Sequence, residues 1–158
     1  MRARTLHTAG EQRTIAVILA TGDEAVACLM QLAAQEGITV AQFTAIGGFS
    51  SAVLGYFDWQ TKEYRRNPVD EQVEVASLTG DIAEGEDGTP SLHIHCVLGR
   101  RDGTALAGHL IEGNVRPTLE SSWSKVRPIC VRPTLEVYGS SLVEGSSLQP
   151  SREFEAVR

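Results

Sequence analysis

The sequence predicts an α+β fold, a mainly antiparallel sheet with one main helix in a single domain. Three observations carry that expectation. Several short β-branched and apolar runs are separated by Gly, Asp and Asn, which is the pattern of strands and turns. Only one stretch shows apolar spacing at i, i+3, i+4 and i+7, the mark of an amphipathic helix. The chain has 158 residues, 42% of them hydrophobic, enough for one domain with its own core.

The elements follow in order. Residues 1–11 carry little apolar pattern and are expected to be a flexible N-terminus. Thr14 to Ala20 is β-branched and apolar, and reads as a buried strand. Thr21 and Glu24 then stand at capping-box spacing. Val26, Leu29, Met30 and Ala33 follow on one helical face, and Gly37 supplies the stop. Strand character returns from Ile38 to Ile46, breaks at Gly47-Gly48 and resumes from Ala52 to Trp59. Gln60 to Lys62 reads as a turn. Val73 to Leu78 is another strand, and Glu84 to Thr89 a polar, glycine-rich loop. Leu92 to Leu98 and Thr104 to Ile111 flank Asp102-Gly103, a strong hairpin signal. The residues from 144 to 158 form a polar tail.

Some function classes are excluded early. The longest apolar run, Ile15 to Ala20, is too short for a membrane span. The basic start lacks an apolar stretch behind it, so no secretory signal is expected. Cys28, Cys96 and Cys130 are scattered and odd in number. They suit a reducing cytoplasm better than a disulfide framework. The net charge of −6 argues against tight, autonomous DNA binding, which calls for a basic face.

The chemistry concentrates in SLHIHCVLGRRDGTALAGHL. Leu92, Ile94, Cys96 and Leu98 share one strand face by period 2, leaving His93 and His95 on the other. A turn centred near residue 102 pairs positions whose numbers sum to 204, and 95 + 109 = 204. His109 should therefore sit across from His95, at a Cβ separation of about 5 Å. A one-residue slip would send His109 to the opposite face. Three converging imidazoles suit one divalent cation. Zinc is the first choice, since three histidines with an open fourth position are a catalytic-zinc pattern. Nickel, iron or copper also accept imidazole. A solvated strand face or a subunit contact is the plainer alternative. Gly47, Gly48 and Gly108 are candidate ligand-binding positions, because glycine in a strand admits close approach of a ligand or another chain, or simply forms a bulge. Glu112 is a candidate carboxylate for proton transfer. Its parity, counted from His109, puts it on the wrong face.

VRPTLE occurs twice, at Val115–Glu120 and again at Val131–Glu136. The intervening residues hold prolines and serines, and only the second copy runs on into alternating strand sequence. The second copy is therefore expected in the sheet, over Thr134 to Leu142. The first copy is expected in an inserted loop of about 116–131, with Trp123 as a packing anchor or a subunit contact.

The stretches AIGGFSSAVLGYFD (Ala45 to Asp58), LTGDIA (Leu78 to Ala83), PSLHIHCVLGRRDGTALAGHLIEGNV (Pro90 to Val115) and PTLEVYG resemble the PPC family, the "plants and prokaryotes conserved" domain. The resemblance spans roughly residues 12–143. It implies a compact, partly barrel-like α+β domain that assembles as a homotrimer. Stand-alone prokaryotic members are commonly described as DNA-binding proteins, so a DNA-binding or regulatory role is implied. The Arg-Gly-Arg-Pro core of an AT-hook does not occur in these 158 residues. The family fold is also similar to that of α-acetolactate decarboxylase, which holds zinc through three histidines. Carried over by position, these are His93, His95 and His109. That kinship implies the alternative, a metal-dependent enzyme of hydrolase or decarboxylase type acting on a small molecule.

Overall fold

A computed structural model of the chain describes residues 1–85 and 89–125. Seven strands and one helix follow in sequence: β1 (Arg2–Ala9), β2 (Gln12–Ala20), α1 (Ala25–Gln35), β3 (Ala41–Asp58), β4 (Glu63–Val69), β5 (Val73–Glu84), β6 (Pro90–Gly99) and β7 (Ala105–Lys125). The strands form one antiparallel sheet in the order β1-β2-β7-β6-β5-β3-β4, and β3 also pairs with β7. That extra pairing curls the sheet into a partial ring. The expected α+β class, with one helix in one domain, is what the described residues adopt.

Two long strands organise the sheet. On one edge of β3, the first half pairs β5 and the second half pairs β4. On one edge of β7, the first part pairs β6 and the last part pairs β2. Their remaining edges pair with each other. The core alternates along β3, β5, β6 and β7, with Phe43, Ala45, Leu78, Ile82, Ile94, Cys96, Leu98 and Leu119 inward. α1 contributes Leu29, Leu32 and Ala33 to it.

The helix ends at the glycine stop the sequence predicts, but its N-cap is Glu24 and not the Thr21 of the expected capping box. Glu24 is the N-cap, its carboxylate accepting from Val26 N at 3.1 Å and Ala27 N at 2.7 Å. It also accepts from Gly113 N at 2.9 Å, tying helix to β7. Thr21 takes no part in that cap; its hydroxyl donates to Pro117 O. At the other end Gly37 sits at φ 59°. Ile38 N donates to Ala33 O and Gly37 N to Ala34 O, the paired bonds of a Schellman stop.

Two further expectations are corrected, and one strand is added. Residues 1–11 are not a loose end: Arg2–Ala9 is β1, paired with β2 along its length. All eight of its residues are exposed. The strand is held by backbone pairing with β2, and the Met1 amino group just before it is ion-paired with Asp23 at 2.8 Å, so it leaves no alternating apolar trace. Residues 63–69, unassigned in the sequence, form β4, an edge strand that tolerates Pro68.

The other correction concerns VRPTLE. The first copy is in the sheet, inside β7, and not in an inserted loop. Thr118 to Lys125 pair with β2, and Leu119 to Lys125 pair with β3. Val115 and Leu119 are buried core. Pro117 is accommodated because the β3–β7 register shifts there: Phe49 pairs Val115, Gly47 pairs Leu119, and residues 116–118 lie between. β3 meets that irregular step with glycines. A Cβ on Gly47 would lie 2.2 Å from Thr118 O, and one on Gly48 would lie 2.5 Å from Arg116 O. Trp123 is an anchor, as expected, but of the core itself. It is fully buried and stacks on Phe43 with centroids 4.8 Å apart. The second copy, the strand expected over 134–142 and the tail lie outside the described residues.

Candidate metal centre

The hairpin that builds the site closes as its sequence dictates. Gly103 adopts φ 83°, and Arg100 N donates to Thr104 O at 2.8 Å. The Asp102 carboxylate accepts from Thr104 N at 2.9 Å and Thr104 Oγ1 at 2.6 Å. These bonds hold the Asp102 carboxyl below its usual range, the Thr104 hydroxyl first and its amide second. The turn sets the register, and His95 pairs with His109.

Ile94, Cys96 and Leu98 point into the core while His93 and His95 are exposed on the other face. One nitrogen from each of His93, His95 and His109 lies within 4.8 Å of the others. The Nε2 atoms of His93 and His95 are 3.1 Å apart. Ring centroids are separated by 4.9, 5.2 and 5.5 Å. His109 is the buried member, with the Tyr64 ring packed 5.0 Å away.

This arrangement fits a divalent cation. A tetrahedral zinc with Zn–N bonds of about 2.0–2.1 Å holds its nitrogens ~3.3–3.4 Å apart, close to the separation of His93 and His95. His109 Nδ1 is buried with no hydrogen-bond partner among the described residues. Such a group costs about 1–3 kcal/mol, a cost that a cation bound through that nitrogen would remove. Metals take neutral imidazole, and the surroundings favour that form. Burial pushes the His109 pKa down to about 4, with the neighbouring charges of His93 and His95 adding to the shift. Burial first, and then His93, lowers that of His95.

The other candidates fall as follows. The space beside Gly47, Gly48 and Gly108 is filled by the protein's own backbone: Thr118, Arg116 and Gly55 respectively. Their smallness thus has a packing explanation. Glu112 departs from simple parity. Val53 pairs Glu112 but Leu54 pairs Leu110, so Ile111 is an extra, bulged residue. The bulge returns Glu112 to the face of His109, where it forms an ion pair with Arg66. Arg66 and His109 both pair with Gly55, from opposite sides. A bulge of this kind has no sequence mark beyond a glycine nearby. Sequence reasoning also missed Thr79 and Asp81, the register partners of His95 and His93 on β5. His7 lies exposed on β1, away from the register of the cluster.

Fold and site together define a single-domain, antiparallel-sheet protein with a three-histidine cluster on one sheet face. Residues 6–122 match the Plants and Prokaryotes Conserved (PCC) domain, and the chain belongs to that family. A plant- and prokaryote-conserved protein of Pyrococcus horikoshii is 28% identical, with a TM-score of 0.73 over 90% of this chain and 100% of that one. A metal-containing protein of Archaeoglobus fulgidus is 32% identical, with a TM-score of 0.66 over 71% of this chain and 78% of the other. A protein of Ralstonia eutropha described as a candidate DNA-binding protein is also 32% identical, at a TM-score of 0.65 over 72% and 78%. A Staphylococcus aureus protein similar to α-acetolactate decarboxylase shares the fold at 12% identity and a TM-score of 0.51, over 75% of this chain and 53% of that one. No curated protein matches the chain. Among the described residues no helix is long and apolar enough to cross a membrane.

Proposed function

We propose that His93, His95 and His109 hold one divalent cation, zinc by preference, at a site that takes a small molecule. The observation that carries this reading is the convergence of three ring nitrogens within 4.8 Å, one of the rings buried with a nitrogen that has no hydrogen-bond partner among the described residues. The metal-containing protein of A. fulgidus supports it. A bound divalent ion would supply Lewis acidity, which suits hydrolysis or decarboxylation. On this side of the site the chain supplies the imidazoles, the Tyr64 ring that packs on His109, and Glu112 held by Arg66 on the same face. The test is elemental analysis of protein purified without an affinity tag. About one metal per chain is expected, falling to background in His95→Ala. Background metal in the wild type after growth with added zinc would overturn the reading.

A second reading is DNA binding, favoured by the description of the R. eutropha protein. The net charge of −6 counts against it, as do the ion pairs that occupy Arg13, Arg66 and Arg100. Titration with duplex DNA decides it, because affinity that neutralises several phosphates falls steeply with added salt.

The homotrimer belongs to the same proposal. Ile18, Ile46 and Val97 stand exposed near one another in the register of the open sheet face, a surface such an assembly would cover. Light scattering that gives a monomer at working concentration would refute it.

A further inference from the structure

The sheet carries the histidines at one end of a longer polar surface. Register alone lays it out. Ser122 pairs Thr44, Thr44 pairs Thr79, and Thr79 pairs His95. In the next row Ser124 pairs Gln42, Gln42 pairs Asp81, and Asp81 pairs His93. Directly paired residues share a face, so two adjacent rows of four polar side chains cross β7, β3, β5 and β6. Behind them lies the core. Gly80 and Phe43 pair between the two rows, and Phe43 occupies the space a side chain on Gly80 would need. These residues line a cleft of about 510 Å³, within the size range of small-molecule sites.

We infer that this cleft binds an uncharged, polyhydroxylated small molecule of polyol or sugar type, with its end reaching His93 and His95. The inference rests on the proposed small-molecule role of the histidine site and names the ligand class. The lining decides the class. Four hydroxyls and the Gln42 amide both donate and accept hydrogen bonds, which is what a hydroxylated ligand requires of its partners. Among the described residues no lysine or arginine lines the cleft, so away from the proposed cation no basic side chain of that lining neutralises a phosphate or carboxylate. Asp81 adds a negative charge that disfavours an anion and accepts from ligand hydroxyls. Among the described lining residues Phe43 is the one large apolar side chain, and it is buried in the core.

The probe is D-glucitol, set against D-glucarate, the same six-carbon hydroxylated chain ending in two carboxylates. Each is titrated into the full chain after chelation of metal, with backbone amide NMR signals as the readout. Glucitol is expected to shift the signals of Thr44, Thr79, Asp81 and Ser122, and glucarate to bind more weakly. Thr79→Val keeps the β-branched shape and removes one hydroxyl. It should weaken glucitol about fivefold, the factor a hydrogen bond of about 1 kcal/mol supplies, with metal content unchanged. Glucarate binding as well as glucitol, shifts confined to other regions, or an unchanged affinity in Thr79→Val would overturn the inference. So would the absence of any shift, including from a second copy covering the cleft. Loss of metal in His95→Ala reports on the metal reading separately, because the glucitol titration uses chelated protein.

Discussion

Trp123 gives the sharpest test of how the chain is threaded. Its indole is fully buried, stacked on Phe43 at an interplanar angle of 17°. Trp123→Ala removes that ring from the core. Truncating a buried aromatic costs about 3–5 kcal/mol, and the lost stack adds about 1 kcal/mol. One opposing contribution is visible: Trp123 Nε1 is buried without a partner among the described residues. Deleting an unsatisfied donor returns about 1–3 kcal/mol. The net expectation is a loss of about 3 kcal/mol, or a fall in Tm of roughly 6–12 °C for a domain of this size. Trp123→Phe keeps a stacked ring and removes the unpaired donor, so it should stay within about 1 kcal/mol of wild type. Urea unfolding followed by far-UV circular dichroism measures both. Trp59 is 74% exposed, so a Trp59→Phe background isolates the blue-shifted emission of Trp123. A Trp123→Ala variant as stable as wild type would refute the placement of the first VRPTLE copy in the core.

Three further outcomes are expected. Glu24→Ala removes an acceptor from three backbone amides, those of Val26, Ala27 and Gly113; it should cost about 1–3 kcal/mol in urea unfolding, and a neutral result would show that water replaces the cap. Gly80→Ala places a Cβ 2.3 Å from Phe43 Cζ, an overpacking expected to cost about 1–3 kcal/mol. Phe43→Leu should recover part of that loss in the double variant, and strict additivity would contradict the contact. The Cys96 thiol is pushed up to about 12 by burial, so it is almost wholly protonated at pH 8. Iodoacetamide should spare it in the native protein and label it in urea, as read by mass spectrometry.

Much of the site was legible without a structure. The hairpin Asp-Gly fixes the register, and register fixes which side chains face one another, so His95 opposite His109 followed from counting. The helix, its glycine stop and the apolar faces of β2 and β6 are likewise local or periodic patterns. What failed was non-local. All eight residues of β1 are exposed and the strand is defined by its hydrogen bonds to β2, so composition could not reveal it. The bulge at Ile111 reversed the parity of Glu112, because one extra residue shifts every later side chain to the other face. Pro117 argued against a strand, yet it sits where the β3–β7 register slips against Gly47 and Gly48. Local residues determined that a three-histidine strand pair would form. Only the tertiary pairing of β3, β5 and β7 decided that Thr79, Asp81, Thr44 and Gln42 stand beside it, since strand neighbours distant in sequence are chosen by the packing of the whole sheet.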